Sequence, residues 1–178
     1  MLNSNGWAKY NTWDKSSSLK DLYTNRCNLK CEEMTCAAQA AEILAPLAST
    51  GDTLLDIGCG SGYFYHSLNS RDIDVEYWGI DATESLLEIG KVHMPKYGLP
   101  AERLVHCRIE DLDADVDHVI CMNVLSNIDN YHRQLERLLL TARKTLILRE
   151  SVSDKPSCLF VNDAFLDPGV NLKVHINT

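Results

Sequence analysis

Leu54-Leu55-Asp56-Ile57-Gly58-Cys59-Gly60-Ser61-Gly62-Tyr63-Phe64 is a short apolar run broken by one acid, followed by three alternating glycines. Thr53 to Ile57 is partly branched and apolar, the pattern of a strand buried on both faces, and Gly51-Asp52 before it supplies a turn. Glycine lacks a Cβ and takes positive φ freely. The strand is therefore expected to open into a tight turn that aims its amides at a bound group and leads into a helix.

Two features narrow the ligand. The dinucleotide fingerprint G-x-G-x-x-G needs a glycine at position 63, where this chain has Tyr63. Asp56 stands at the mouth of the loop, where a carboxylate repels a pyrophosphate but suits a ligand carrying ammonium and sulfonium groups. Both features disfavour a nicotinamide-dependent reductase. An acid, one residue, then G-x-G-x-G resembles motif I of the class I S-adenosylmethionine (SAM)-dependent methyltransferases, and the resemblance extends over residues 51–150. It implies that Asp56, Gly58, Cys59, Gly60 and Gly62 contact SAM.

The 178 residues, 45% hydrophobic and 24% charged, suffice for one domain with a real core. A formal net charge of -8 argues against a nonspecific grip on nucleic acid. Met1 to Tyr10 has no apolar segment of the kind a signal peptide carries, and no run is as long as a membrane span, so a cytoplasmic protein is expected. The seven cysteines are expected to be reduced thiols. Cys27, Cys31 and Cys36 are spaced C-x3-C-x4-C, which matches no paired zinc knuckle, and no metal is expected.

Residues 1–50 read as an N-terminal arm and helix packed on the core. Trp7, Tyr10 and Trp13 are set among polar residues, either as a lid facing the substrate or as ordinary satellite packing. From Glu32 to about Ala45, Cys36, Ala37, Ala40, Ala41 and Leu44 form one helical stripe, ended by Pro46. Arg26 is the sole arginine before the glycine loop. It is either a solvated surface residue or, as the resemblance implies for this region, a partner for the cofactor's carboxylate.

Beyond the loop, Tyr63 to Ser70 is expected to be helical, and Val75 to Ile80 a strand ending at Asp81. That acid lies 19 residues past Gly62, where doubly wound units place a carboxylate on the ribose hydroxyls. It corresponds to motif II, followed by Ala82 on the adenine side. Ser85 to Glu88 offers a capping box, with Thr83 as the competing cap of a helix that Pro95 stops. Leu104 to Ile109 reads as a third strand. Ile109, Glu110 and Asp111 then match the family's adenine-binding turn, although the usual acid aligns with Arg108.

His118 to Met122 reads as the fourth strand, and the segment from Asn123 to Ile128 resembles motif IV. Cys121 and Asn123 are thereby implied to lie at the methionyl part of the cofactor, with the Asn123 side chain either facing the acceptor or satisfying its own turn. Tyr131 to Ala142 carries Leu135, Leu138, Leu139 and Ala142 on one face of a helix, and Thr145 to Leu148 is the fifth strand. Arg149 and Glu150 are candidate substrate contacts or a surface salt bridge.

Alternating strands and helices imply an α/β fold, a doubly wound, mainly parallel sheet with helices on both faces. The resemblance supplies the order 3-2-1-4-5 and places the SAM-binding core at residues 51–150. Residues 151–178 look too few and too polar for the antiparallel hairpin of complete members, so a tail or a truncated chain continuing past Thr178 is expected. The implied activity is methyl transfer by in-line displacement to a small-molecule or protein acceptor, nucleic acid being disfavoured. A SAM-binding scaffold or partner subunit without catalysis is the alternative. His66, His118, His132, Tyr23 and Tyr63 are candidate bases by residue type alone.

Overall fold

The computed structural model describes residues 12–128, 131–161, 167–168 and 172–176, so Trp7 and Tyr10 lie outside the described residues. Helices α1 (Thr12–Lys15), α2 (Ser17–Cys27) and α3 (Thr35–Leu44) precede the sheet. The core then alternates β1 (Thr53–Ile57), α4 (Tyr65–Asn69), β2 (Glu76–Asp81), α5 (Glu84–His93), β3 (Leu104–His106), β4 (Val116–Met122), α6 (His132–Thr141) and β5 (Ala142–Arg149). The five strands pair in the order β3-β2-β1-β4-β5, all parallel, as expected.

Side chains of successive strand residues point to opposite faces, and two cores result. Leu54, Tyr77 and Ile120 pack on one face with Ala37, Ala41 and Leu44 of α3. Leu55, Ile57, Val119 and Cys121 pack on the other with Leu138 of α6. Asp56 alternates with Leu55 and Ile57, which puts it on the α3 side. The strand order reverses direction between β1 and β4, so the crevice beyond their C-terminal ends is the natural ligand site.

Several local expectations are corrected. β6 (Ser157–Val161) and β7 (Leu172–Ile176) form the hairpin expected to be missing, antiparallel and as a separate two-stranded sheet. β7 alternates apolar and polar residues, Leu172, Val174 and Ile176 with Lys173 and His175, whereas β6 ends in the unbroken apolar run Leu159 to Val161. The 85–88 capping box does not form: Ser85 Oγ is buried without a partner, and Glu88 instead holds Lys91 at 2.8 Å. Leu139 is 61% exposed, because the inward line of α6 is Gln134, Leu138 and Thr141. β3 stops at His106, and residues 109–111 make a 3-10 turn.

Candidate functional site

The end of β1 delivers Asp56 and the glycine loop to the crevice. Gly58 has φ 74° and Gly60 φ 58°, backbone that other residues adopt at a cost. Both also meet close neighbours, since a Cβ on Gly58 would strike the Val124 side chain and one on Gly60 the Tyr23 ring. The loop thus has walls on two sides. Val124 belongs to the segment after β4, and Tyr23 to α2.

The loop's amides do not face outward as expected. Gly58 N and Cys59 N both donate to Ile80 O, at 2.8 and 3.0 Å, and Gly62 N to Cys59 O at 2.9 Å. Gly60 N donates to Asp81 Oδ2 at 2.8 Å, while Thr83 N donates to Asp81 Oδ1 at 2.7 Å. A loop that spends its donors on its own strands is a poor phosphate cradle. The charged group that lines the cavity is an acceptor, the carboxylate of Asp56, with Asp81 bonded to the loop at Gly60 N.

Asp56 is buried and accepts one hydrogen bond, from Tyr77 Oη at 2.7 Å. Burial pushes its carboxyl up to about 7, aided by the nearby Asp81 charge and opposed by the Tyr77 bond. Asp81 is likewise raised by burial, against the pull of its two amide bonds. Two crowded acids with no cation between them suit a positively charged ligand. The donor set therefore fits a sulfonium and ammonium ligand better than an anionic one.

Asp56, Gly58 and Cys59 line a cavity of about 30 Å³ together with Met34, Tyr63, Met122 and Asn123. That is room for a water or two. Tyr63 joins a cluster that local sequence pattern does not reveal: Arg26 lies 5.2 Å from the Tyr23 ring centroid and 5.0 Å from that of Tyr63, and Trp13 meets Tyr23 edge-on at 6.4 Å. Tyr63 Oη donates to Met34 Sδ at 3.1 Å. Arg26 makes no ion pair with a carboxylate among the described residues, so its fork is available to an anionic group.

Of the remaining candidates, Asn123 is left-handed, with φ 58°. Its N donates to Arg149 O at 2.8 Å, its O accepts from Asn127 Nδ2 at 2.7 Å, and its Oδ1 accepts from the Arg149 guanidinium. The side chain is occupied in holding the turn while the residue lines the cavity. Ile109 is buried, and Glu110 Oε1 accepts from Gln134 Nε2 at 2.8 Å and Arg108 Nη2 at 3.1 Å. Ala82 O pairs with His106 Nε2 at 3.1 Å. Cys121 is buried behind the cavity, and Cys36, foreseen as part of a helical stripe, lines it.

The candidate bases separate cleanly. His118 is fully buried in the first half of β4, its Nε2 3.0 Å from Asp52 at the opposite end of the sheet. His66 pairs with Cys27 O at 2.9 Å and packs on Tyr97, and the His132 ring stacks on Tyr131. Tyr63 is at the cavity, but burial pushes its phenol up to about 12 and pushes Tyr23 higher still. No three potential metal ligands cluster among the described residues.

A family model described as a methyltransferase domain matches residues 55–146, from β1 into β5. The chain belongs to this methyltransferase-domain family. The ubiquinone biosynthesis O-methyltransferase of Chromobacterium violaceum is 31% identical over 121 residues, 65% of this chain and 46% of that protein. The carboxy-S-adenosyl-L-methionine synthase of Campylobacter hominis is 28% identical over 81 residues, 43% of this chain and 35% of that protein. The chain spans about half the length of the O-methyltransferases it matches, 46% and 47%. Phosphoethanolamine N-methyltransferase 2 of Haemonchus contortus, solved with S-adenosyl-L-methionine, shares the fold with a TM-score of 0.65 at 13% identity, over 93% of this chain and 39% of that one. No helix among the described residues is long and apolar enough to cross a membrane.

Proposed function

We propose that the chain binds SAM and transfers its methyl group to a small-molecule or protein acceptor. The observation that carries this reading is the pair of crowded carboxylates, Asp56 and Asp81, beside a glycine loop whose donors are already used. Asp56 would balance the cationic end of the cofactor, and Asp81 would accept from its ribose hydroxyls. Gly58, Cys59, Gly60 and Gly62 would floor the site, with Ala82, Ile109 and Glu110 on the adenine side and Cys121 and Asn123 on the methionyl side. Arg26, beside the Tyr23 and Tyr63 rings, would meet the carboxylate. The net charge of -8 disfavours a nucleic-acid acceptor.

When bound, the cofactor supplies a methyl carbon on a sulfonium, which an acceptor displaces in line as the neutral thioether leaves. The chain's own task is alignment and exclusion of water. Met34, Tyr63, Phe64 and Met122 give the cavity a largely apolar lining, which would help to exclude water once the ligand fills it. Tyr63 keeps its proton at neutral pH, so it orients rather than deprotonates. In this reading residues 51–150 are the SAM-binding core, residues 1–50 roof it, and residues 151–178 face the acceptor. One contact between the flanking parts supports this: Asp167 Oδ2 accepts from Ser17 N at 2.7 Å, capping the helix that carries Tyr23 and Arg26.

Calorimetry with SAM and with S-adenosylhomocysteine tests the reading, with one molecule per chain expected for each and none of NAD. Tritiated-methyl transfer to a panel of small molecules and proteins then tests catalysis. Failure to bind SAM overturns the proposal. Binding without transfer to any acceptor would favour the scaffold role.

A further inference from the structure

Three consecutive backbone amides after β4 converge on one side chain from the end of β5. Val124 N and Leu125 N donate to Glu150 Oε1 at 2.6 and 2.7 Å, and Ser126 N donates to Glu150 Oε2 at 3.1 Å. Successive N–H groups around a left-handed residue make an anion-binding concavity. Here the left-handed residue is Asn123 and the anion is the chain's own carboxylate. Glu150 is neither a free substrate contact nor a surface ion pair.

The clasp has a consequence across the crevice. Met122 pairs with Arg149 in the parallel register of β4 and β5, so Glu150 reaches the loop from the strand beside it. Arg149 grips Asn123 through both its carbonyl and its guanidinium. The segment so held abuts the glycine loop: Val124 fills the place a Cβ on Gly58 would need, and Asn123 lines the same cavity as Met122 and Asp56. The position of residues 123–126 relative to Asp56 is therefore set by Glu150.

We propose that Glu150 is a positioning residue, fixing the segment after β4 that lines the cavity with Asp56 and against which the sulfonium end of the ligand is read. This rests on the SAM-binding reading above. Three amides need two acceptor oxygens; glutamine offers one oxygen and an NH2, so Glu150→Gln sets a donor against at least one amide. Aspartate keeps the charge and both oxygens but withdraws them by one methylene. It tests position apart from charge.

SAM and S-adenosylhomocysteine differ by one methyl group and its positive charge, so the ratio of their affinities reports on that segment without any acceptor. Calorimetry on the wild type, Glu150→Gln and Glu150→Asp should show the ratio shifting against SAM by about fivefold or more in both variants. Amide exchange at Val124, Leu125 and Ser126 should accelerate about tenfold or more. An unchanged ratio, whether or not the melting temperature falls, would reduce Glu150 to a structural cap. A ratio restored in Glu150→Asp would assign the effect to charge and overturn positioning. If the wild type binds neither ligand, the SAM reading itself fails and this proposal falls with it. Should Glu150→Gln not fold, the Glu150→Asp ratio and amide exchange decide alone.

Discussion

If Asp56 balances the cationic end of SAM as proposed, SAM affinity should depend on pH in a window where few sites titrate. Its carboxyl lies at about 7 because it is buried beside Asp81, with only the Tyr77 hydroxyl to stabilise the charge. A cationic ligand favours the ionised form, so binding expels a proton wherever the free protein holds one. With a value near 7, about half the molecules are ionised at pH 7 and about one in eleven at pH 6. SAM affinity should then fall about fivefold between pH 7 and pH 6, roughly 1 kcal/mol. Asp56→Asn keeps the Tyr77 hydroxyl partnered and removes the titration, so its affinity should be weak and flat. Calorimetry in two buffers of different ionisation enthalpy would show the released proton directly. The sign for stability is opposite: a raised carboxyl favours the free fold below about pH 4, and that contribution is lost as pH rises through about 7. An Asp56→Asn protein that retains the wild-type pH dependence, or a wild type with none, would refute the reasoning.

Asp81→Asn should weaken SAM binding by about 1–3 kcal/mol, the scale of a hydrogen bond to a charged group, and unchanged affinity in calorimetry would remove Asp81 from the site. Lys144 joins Asp52 at 2.6 Å and Asp117 at 3.2 Å at the far end of the sheet. Asp52 is held far below its usual range chiefly by Lys144, and Asp117 is lowered to about 2 chiefly by Thr53. Both contributions are present above about pH 4 and lost as pH falls, so Lys144→Ala should move the acid-unfolding midpoint, followed by circular dichroism, to higher pH. Protein purified without added metal should contain no stoichiometric zinc or iron on elemental analysis, since Cys27 is buried beside Ser61 and its spacing to Cys31 and Cys36 suits no metal site.

The five-stranded sheet was legible because each signal in it is local. Branched apolar runs of four to six residues, each closed by an acid, a glycine or a loop, locate β1, β2 and β4 whatever surrounds them. The hairpin was missed for the converse reason. β6 and β7 form a separate small sheet, and their identity lies in a pairing that joins Ser157 to Ile176, which composition alone does not announce. Leu139 misled in the same way. Helical spacing put it on one face with Leu135, Leu138 and Ala142, whereas the buried line runs through Gln134, Leu138 and Thr141, with Gln134 bonded to Glu110.

The site divides along the same line. The sign of the ligand's charge was readable, since Asp56 and Asp81 fall at strand ends that a parallel sheet must bring to one edge. The fate of the loop's amides was not, because whether Gly60 N points at a ligand or at Asp81 is decided by a contact 21 residues away in sequence. The distant contact turns an apparent donor loop into a fixed floor and moves recognition onto the acids. Arg26 shows the other side of the argument. The sequence left it either a surface residue or a carboxylate partner, and the structure places its guanidinium against two tyrosine rings, Tyr23 of α2 and Tyr63 beyond the glycine loop. Without an ion-pair partner among the described residues, its fork is left for an anionic group, and Asp56 and Asp81 supply the opposite charge. Under the proposed reading the crevice would therefore meet a zwitterion, its anionic group at Arg26 and its cationic one at Asp56.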